Sequence, residues 1–205
     1  MSNNIVHQIQ KALGATGTIV EAIRSDQWDD PTPCADWTVR DVANHLVGGM
    51  NVFAAMLGGP PAEEDPERDW LGADPAASYR SAATIDDAAW TAPGALDGEV
   101  ALSFATLPAS MAAVIHLTEL VVHGLDLAVA THHVELVDES IATELLDLMI
   151  AMGGIDPFRG PGFFGPELPS DPGDAAHRRL LAYVGRELHE STATSSADAV
   201  RALAH

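Results

Sequence analysis

A chain of 205 residues suits one large domain, or a domain with a short appendage, and can bury a sizeable core without disulfides. Thirty acidic residues against ten basic ones give a formal charge of -20, which makes nucleic acid and anionic membrane surfaces poor partners. Hydrophobic residues at 47% rule out a disordered acidic polymer, and aromatics at only 5%, beside abundant Ala and Leu, favour helix over sheet.

From Asn3 to about Ser25 the apolar residues Ile5, Ile9, Leu13, Ile19, Val20 and Ile23 recur at helical spacing, with Gly14 and Gly17 as local weak points. The opening MSNNIVHQIQKALG has no charged segment followed by an apolar one, so no signal peptide is expected. SDQWDDPTPCADW then reads as a loop stopped by Pro31 and Pro33. Cys34 is the lone cysteine, so no internal disulfide forms and a reduced, cytoplasmic setting is expected. Thr38 and Asp41 form a capping pair, with Asp in place of the usual Glu, that opens a second helix over residues 38–58. GGPPAEEDPERD ends it as an acidic loop.

A third helix is predicted over 76–90, and GEVALSFAT as a short strand or extended arm. Pro108 suits a helix start, and a fourth helix is predicted over 107–131, followed by a fifth over 139–152 that stops at Gly153 and Gly154. No run approaches eighteen uninterrupted apolar residues, so no transmembrane helix is expected. FRGPGFFGPELPSDPGD is a Pro/Gly-rich arm, AAHRRLLAYVGREL a last short helix, and the polar tail from Glu190 is expected to fray. These elements describe an all-α four-helix bundle over residues 1–155, with a C-terminal arm and short helix over 156–205 packing on it or trailing from it.

The helix containing Leu117, Leu120, Val121, Leu125 and Leu127 is apolar in nearly every direction except one narrow stripe, made of His116, Glu119, His123 and Asp126. Glu119 and His123 stand one turn apart and can reach a common point. The stripe reads as a solvent-facing seam, as buried polar groups satisfying one another, or as metal ligands. His45, alone among the histidines in the second helix, is the candidate third donor. Two imidazoles and a carboxylate form a common catalytic zinc set with a position left open, and nickel or iron accept the same donors. His116 is the second choice of ligand, and Asp126 either orients a ligand imidazole or bonds locally.

PTPCADWTVRDVANHLVGG, followed at a distance by HLTELVVHGLDLA, resembles the DinB-like superfamily, and within it the branch that contains the metal-binding domain of mycothiol-dependent maleylpyruvate isomerase. The resemblance spans nearly the whole chain, to LLAYVGRE. It implies a four-helix bundle holding a divalent metal, with His45, Glu119 and His123 as the matching ligands, and a small thiol such as mycothiol as cosubstrate. The metal would then activate the thiol for addition to a small-molecule electrophile, in a transferase or isomerase. The other readings are a non-catalytic metal or small-ligand binder and a metal-assisted hydrolase. About fifty residues follow the bundle, which is too few for the further C-terminal domain that the isomerase carries unless that domain is greatly reduced. A homodimer is expected only as the commonest oligomer.

Among other candidates, Cys34 reads as a packed small hydrophobe rather than a reactive thiol. His132 and His133 suit a helix C-terminus. Arg159, Arg178 and Arg179 read as partners of acidic neighbours.

Overall fold

The structure, a computed structural model, describes residues 2–62, 65, 68–102, 105–160 and 163–188. The polar tail from Glu190 lies outside the described residues. Among the described residues six α-helices form: α1 (Ser2–Ala22), α2 (Val39–Met56), α3 (Pro75–Trp90), α4 (Ala109–Ala130), α5 (Glu139–Ala151) and α6 (Ala176–Tyr183). Sheet among the described residues is limited to β1 (Glu99–Ala101) paired antiparallel with β2 (Thr106–Pro108). The all-α expectation holds.

Local chemistry sets the helix ends. Thr38 takes the Asp41 backbone N–H on its side chain while the Asp41 carboxylate takes the Thr38 N–H at 2.9 Å, so the shorter acid completes the capping box. α1 stops short of Ser25 because the Arg24 N–H turns to the Gln27 side chain at 3.0 Å. α4 begins two residues later than the periodicity suggests, because residues 106–108 are claimed by the pairing with β1. α5 ends where Gly153 and Gly154 adopt φ of 99° and 86°, a conformation that side chains with a Cβ resist.

α1 packs on α3 and α4, and α2 packs on the same two helices, so α1–α4 close into a four-helix bundle. α4 has apolar residues facing both neighbours and the C-terminal elements, which explains its nearly uniform hydrophobicity. By length and composition alone this helix could cross a membrane, but 78% of its most apolar window is buried inside the bundle. The approach of α1 to α4 is close: Thr16 Oγ1 occupies the space that a Cβ on Gly124 would need, and bonds the Leu120 carbonyl at 3.1 Å.

α5 and α6 pack together over one side of α4. The segment leading to α6 returns along it, with the Gly165 N–H bonding the Val184 carbonyl at 3.2 Å and the Leu168 N–H bonding the Ala182 carbonyl at 2.9 Å. Leu180, Leu181 and Val184 are fully buried in the same apolar cluster as Ile9 and Leu120. Arg159 pairs with Asp156 at 2.8 Å and donates to the Gly165 and Tyr183 carbonyls, so it serves the fold rather than a ligand.

Candidate functional site

α2 and α4 cross so that three side chains meet at one point. His45 Nε2 lies 2.8 Å from Glu119 Oε2, and His123 Nε2 lies 3.3 Å from the same oxygen. One donor atom from each residue falls within 4.8 Å of the other two. His45 comes from the middle of α2, whose start is fixed by the Thr38 cap, and Glu119 and His123 come from successive turns of α4. The His45 and Glu119 side chains are 42% and 38% exposed, whereas His123 is 8% exposed, so the cluster opens to solvent on one side and is anchored on the other.

The anchored side is built in layers. His123 Nδ1 lies 3.0 Å from Asp126 Oδ2, an oxygen that also receives Arg186 Nε at 3.3 Å. The ring of Trp37, from the loop before α2, stacks on His123 with centroids 5.7 Å apart and leans on His45 at 5.0 Å. Burial alone would lower the His123 pKa, but its hydrogen bonds to Asp126 and Glu119, with their charges, raise it to about 9. Burial likewise works against a charged Glu119, yet the hydrogen bonds and charges of His123 and His45 win and hold its carboxyl far below the ordinary range.

The arrangement fits a divalent metal in donor type and spacing. Ligand atoms about 2.0–2.1 Å from a tetrahedral zinc stand roughly 3.3 Å apart, close to the separations of Glu119 Oε2 from the two imidazoles. Asp126 fixes His123 through Nδ1 and leaves Nε2 directed at the cluster, as a carboxylate does for a metal-bound imidazole. His116, the second choice of ligand, is elsewhere: it turns towards α3, with Nε2 2.7 Å from Asp86 Oδ2. Cys34 also brings its sulfur within 4.8 Å of donor atoms of His123 and Asp126. Burial, opposed by Arg186 and reinforced by Asp126 and Glu119, pushes its thiol up to about 11, which disfavours the thiolate at neutral pH.

From the cluster a cleft of about 640 Å3 runs between α2 and α4, walled by Met50, Phe53, Met56, Trp70, Leu102 and Ile115. The charged groups on its described lining, other than histidine, are the carboxylates of Asp41, Asp65 and Glu119. Sequence reasoning brought His45, Glu119 and His123 together but missed Trp37, Asp86 and Arg186. Trp37 was legible only as part of the loop; Asp86 and Arg186 carry no local pattern, since each matters through a contact made across the fold.

Residues 9–128 match the family model described as the mycothiol maleylpyruvate isomerase N-terminal domain. An uncharacterized protein of Mycobacterium tuberculosis strain H37Rv, Rv0738, is 31% identical over 178 residues, covering 86% of this chain and 94% of the relative. A counterpart from strain CDC 1551 shows the same values. Among solved structures, the mycothiol-dependent maleylpyruvate isomerase superimposes with a TM-score of 0.62 at 16% identity, covering 91% of this chain and 90% of that one. A histidine-to-alanine mutant of that isomerase gives the same TM-score at 14% identity.

Proposed function

The chain belongs to the mycothiol maleylpyruvate isomerase N-terminal domain family, and from that premise we propose that it is a divalent-metal enzyme joining a small thiol of the mycothiol type to an electrophile, as a transferase or isomerase. The observation that carries this reading is the convergence of His45 Nε2, Glu119 Oε2 and His123 Nε2 at the end of a large, mostly apolar cleft. His45, Glu119 and His123 would hold the metal, with zinc favoured and nickel or iron as chemical alternatives. When bound there, a divalent metal supplies a Lewis-acidic position that lowers the pKa of a thiol. Asp126 orients His123 through Nδ1, and Trp37 packs against one flank of both imidazoles.

The cleft supports an uncharged, largely apolar electrophile better than an acid such as maleylpyruvate, because its described lining offers carboxylates and no lysine or arginine. The test is to load the purified protein with zinc and follow a small thiol and an α,β-unsaturated ketone. Consumption of both that depends on metal supports the reading. Tight metal binding without thiol-dependent turnover would make the protein a binder, and ester or amide cleavage without thiol would make it a hydrolase.

A further inference from the structure

His116 and Asp86 form a hydrogen-bonded polar pair in the middle of the bundle, 1% and 0% exposed, where an apolar pair would be expected. His116 Nε2 and Asp86 Oδ2 are 2.7 Å apart, and the ring sits between Phe53 and Trp90 at centroid distances of 4.5 and 5.6 Å. Stability is a weak account of it, since even fully charged buried pairs replaced by well-packed apolar residues often leave a protein as stable or more so. Nor is the pair self-sufficient. His116 Nδ1, Asp86 Oδ1 and Trp90 Nε1 are all buried without a protein partner. Buried polar atoms that the protein itself leaves unpaired call for an explanation.

The position of His116 supplies one. It lines the same cleft as His45 and Glu119, and it stands one turn before Glu119 on α4. We propose that His116 is a catalytic proton-transfer residue at the floor of this cleft, and that Asp86 positions it. The Asp86 carboxylate accepts the Nε2–H bond, which sets the tautomer and leaves the Nδ1 lone pair of the neutral ring as the base. A base oriented by a carboxylate on its far nitrogen is the arrangement that proton transfer to and from a nucleophile requires.

The inference rests on the thiol-transfer reading above, and there the step balances. The S–H proton passes to His116 Nδ1 as the S–C bond forms, and the C=C π pair of the unsaturated ketone moves to the carbon next to the carbonyl. The Nδ1–H then protonates that carbon, so the ring ends neutral and no oxidant or reductant is used. Reversing the last transfer from the adduct, after rotation about the former double bond, gives isomerisation with release of the thiol.

Two measurements on the zinc-loaded full chain test this. In the first, 15N spectra of histidine-labelled protein are recorded while 4-phenyl-2-butanone, a ketone that cannot react, is added; the His116 Nδ1 resonance is expected to shift. A His116 resonance that stays in place, whether the ketone fails to enter or enters without meeting the ring, overturns the proposal. In the second, His116→Gln is expected to lower kcat for thiol addition about 100-fold with KM changed by less than about threefold. Asp86→Asn should lower kcat by about tenfold and change the His116 tautomer signature in the same spectra. An unchanged kcat in a folded His116→Gln protein overturns the catalytic role. If that variant does not fold, the wild-type spectra decide. Should the wild type show no thiol-dependent turnover, the proposed function falls, whereas the ketone titration still reports on whether His116 meets a ligand.

Discussion

Arg186 Nε, near the C-terminal end of the described chain, lies 3.3 Å from Asp126 Oδ2, the oxygen that also holds His123 Nδ1 at 3.0 Å. The last segment of the fold is thereby joined to a candidate ligand through a single fully buried carboxylate. Arg186 offsets the charge of Asp126, and Asp126 in turn fixes the imidazole. Asp126→Asn should weaken zinc binding about 10–100-fold, the range found for carboxylates that orient metal-bound histidines. Arg186→Met should both weaken zinc and lower stability by on the order of 3 kcal/mol, because it leaves a buried charge with one partner fewer. Competition against a chromophoric chelator, with urea melts alongside, measures both. Unaltered zinc affinity in Asp126→Asn would remove the carboxylate from the site.

His45→Ala, Glu119→Ala and His123→Ala should each lower bound zinc strongly, since each removes one donor from a set of three. His132→Ala and His177→Ala should not. His132 sits just past α4 at a left-handed φ of 61°, and His177 is engaged with Glu139 from α5. Elemental analysis of the purified variants is the check, and equal occupancy across all of them would end the assignment.

How much of this was legible beforehand follows from the range of each interaction. Helices and their caps are local: Thr38 and Asp41 are three residues apart, and Gly153 and Gly154 act on the turn beside them. The Glu119–His123 pair is local too, and His45 was findable because α2 offers a single histidine. The stripe on α4 misled in one respect. His116 shares its angular position but bonds Asp86 on α3, because residues within one stripe of a central helix still face different neighbours along its length. Asp86 and Arg186 became visible only when helices distant in sequence were packed. The return of the segment after α5 onto the bundle was hidden for the same reason, since a Pro/Gly-rich stretch does not state where it docks.

The α1–α4 contact makes a stability prediction independent of the site. A Cβ at Gly124 would collide with the Thr16 side chain, so Gly124→Ala should destabilise the protein by about 1–3 kcal/mol despite its better helix propensity. Thr16→Ala removes the obstructing hydroxyl and should restore part of that loss in the double variant, read as a coupling energy from denaturant melts. Additive losses would show that the two positions do not touch.

His123 links protons, stability and metal in one group. Its pKa in the folded protein is raised from 6.5 to about 9, whereas that of Glu119, its partner, is lowered from 4.5. A raised histidine stabilises the fold fully below the unfolded value and loses that contribution as pH rises through the folded one. A depressed carboxyl acts in the opposite sense, contributing above its unfolded value and losing that as pH falls. The metal-free protein should therefore gain most from this pair between about pH 4.5 and 6.5, and lose the His123 share, on the order of a few kcal/mol, on the way to about pH 9. Melts of metal-free wild type and His123→Gln at pH 6 and pH 9.5 should show a gap that narrows at the higher pH. Zinc competes for the same nitrogen: at pH 7.5 the ring carries a proton on Nε2 that must leave before that atom can ligate. Zinc binding should thus release about one proton from His123, and calorimetric heats should differ between two buffers by their ionisation enthalpies. Heats independent of buffer at pH 7.5 would show that His123 is not a ligand, even if zinc binds elsewhere on this acidic surface.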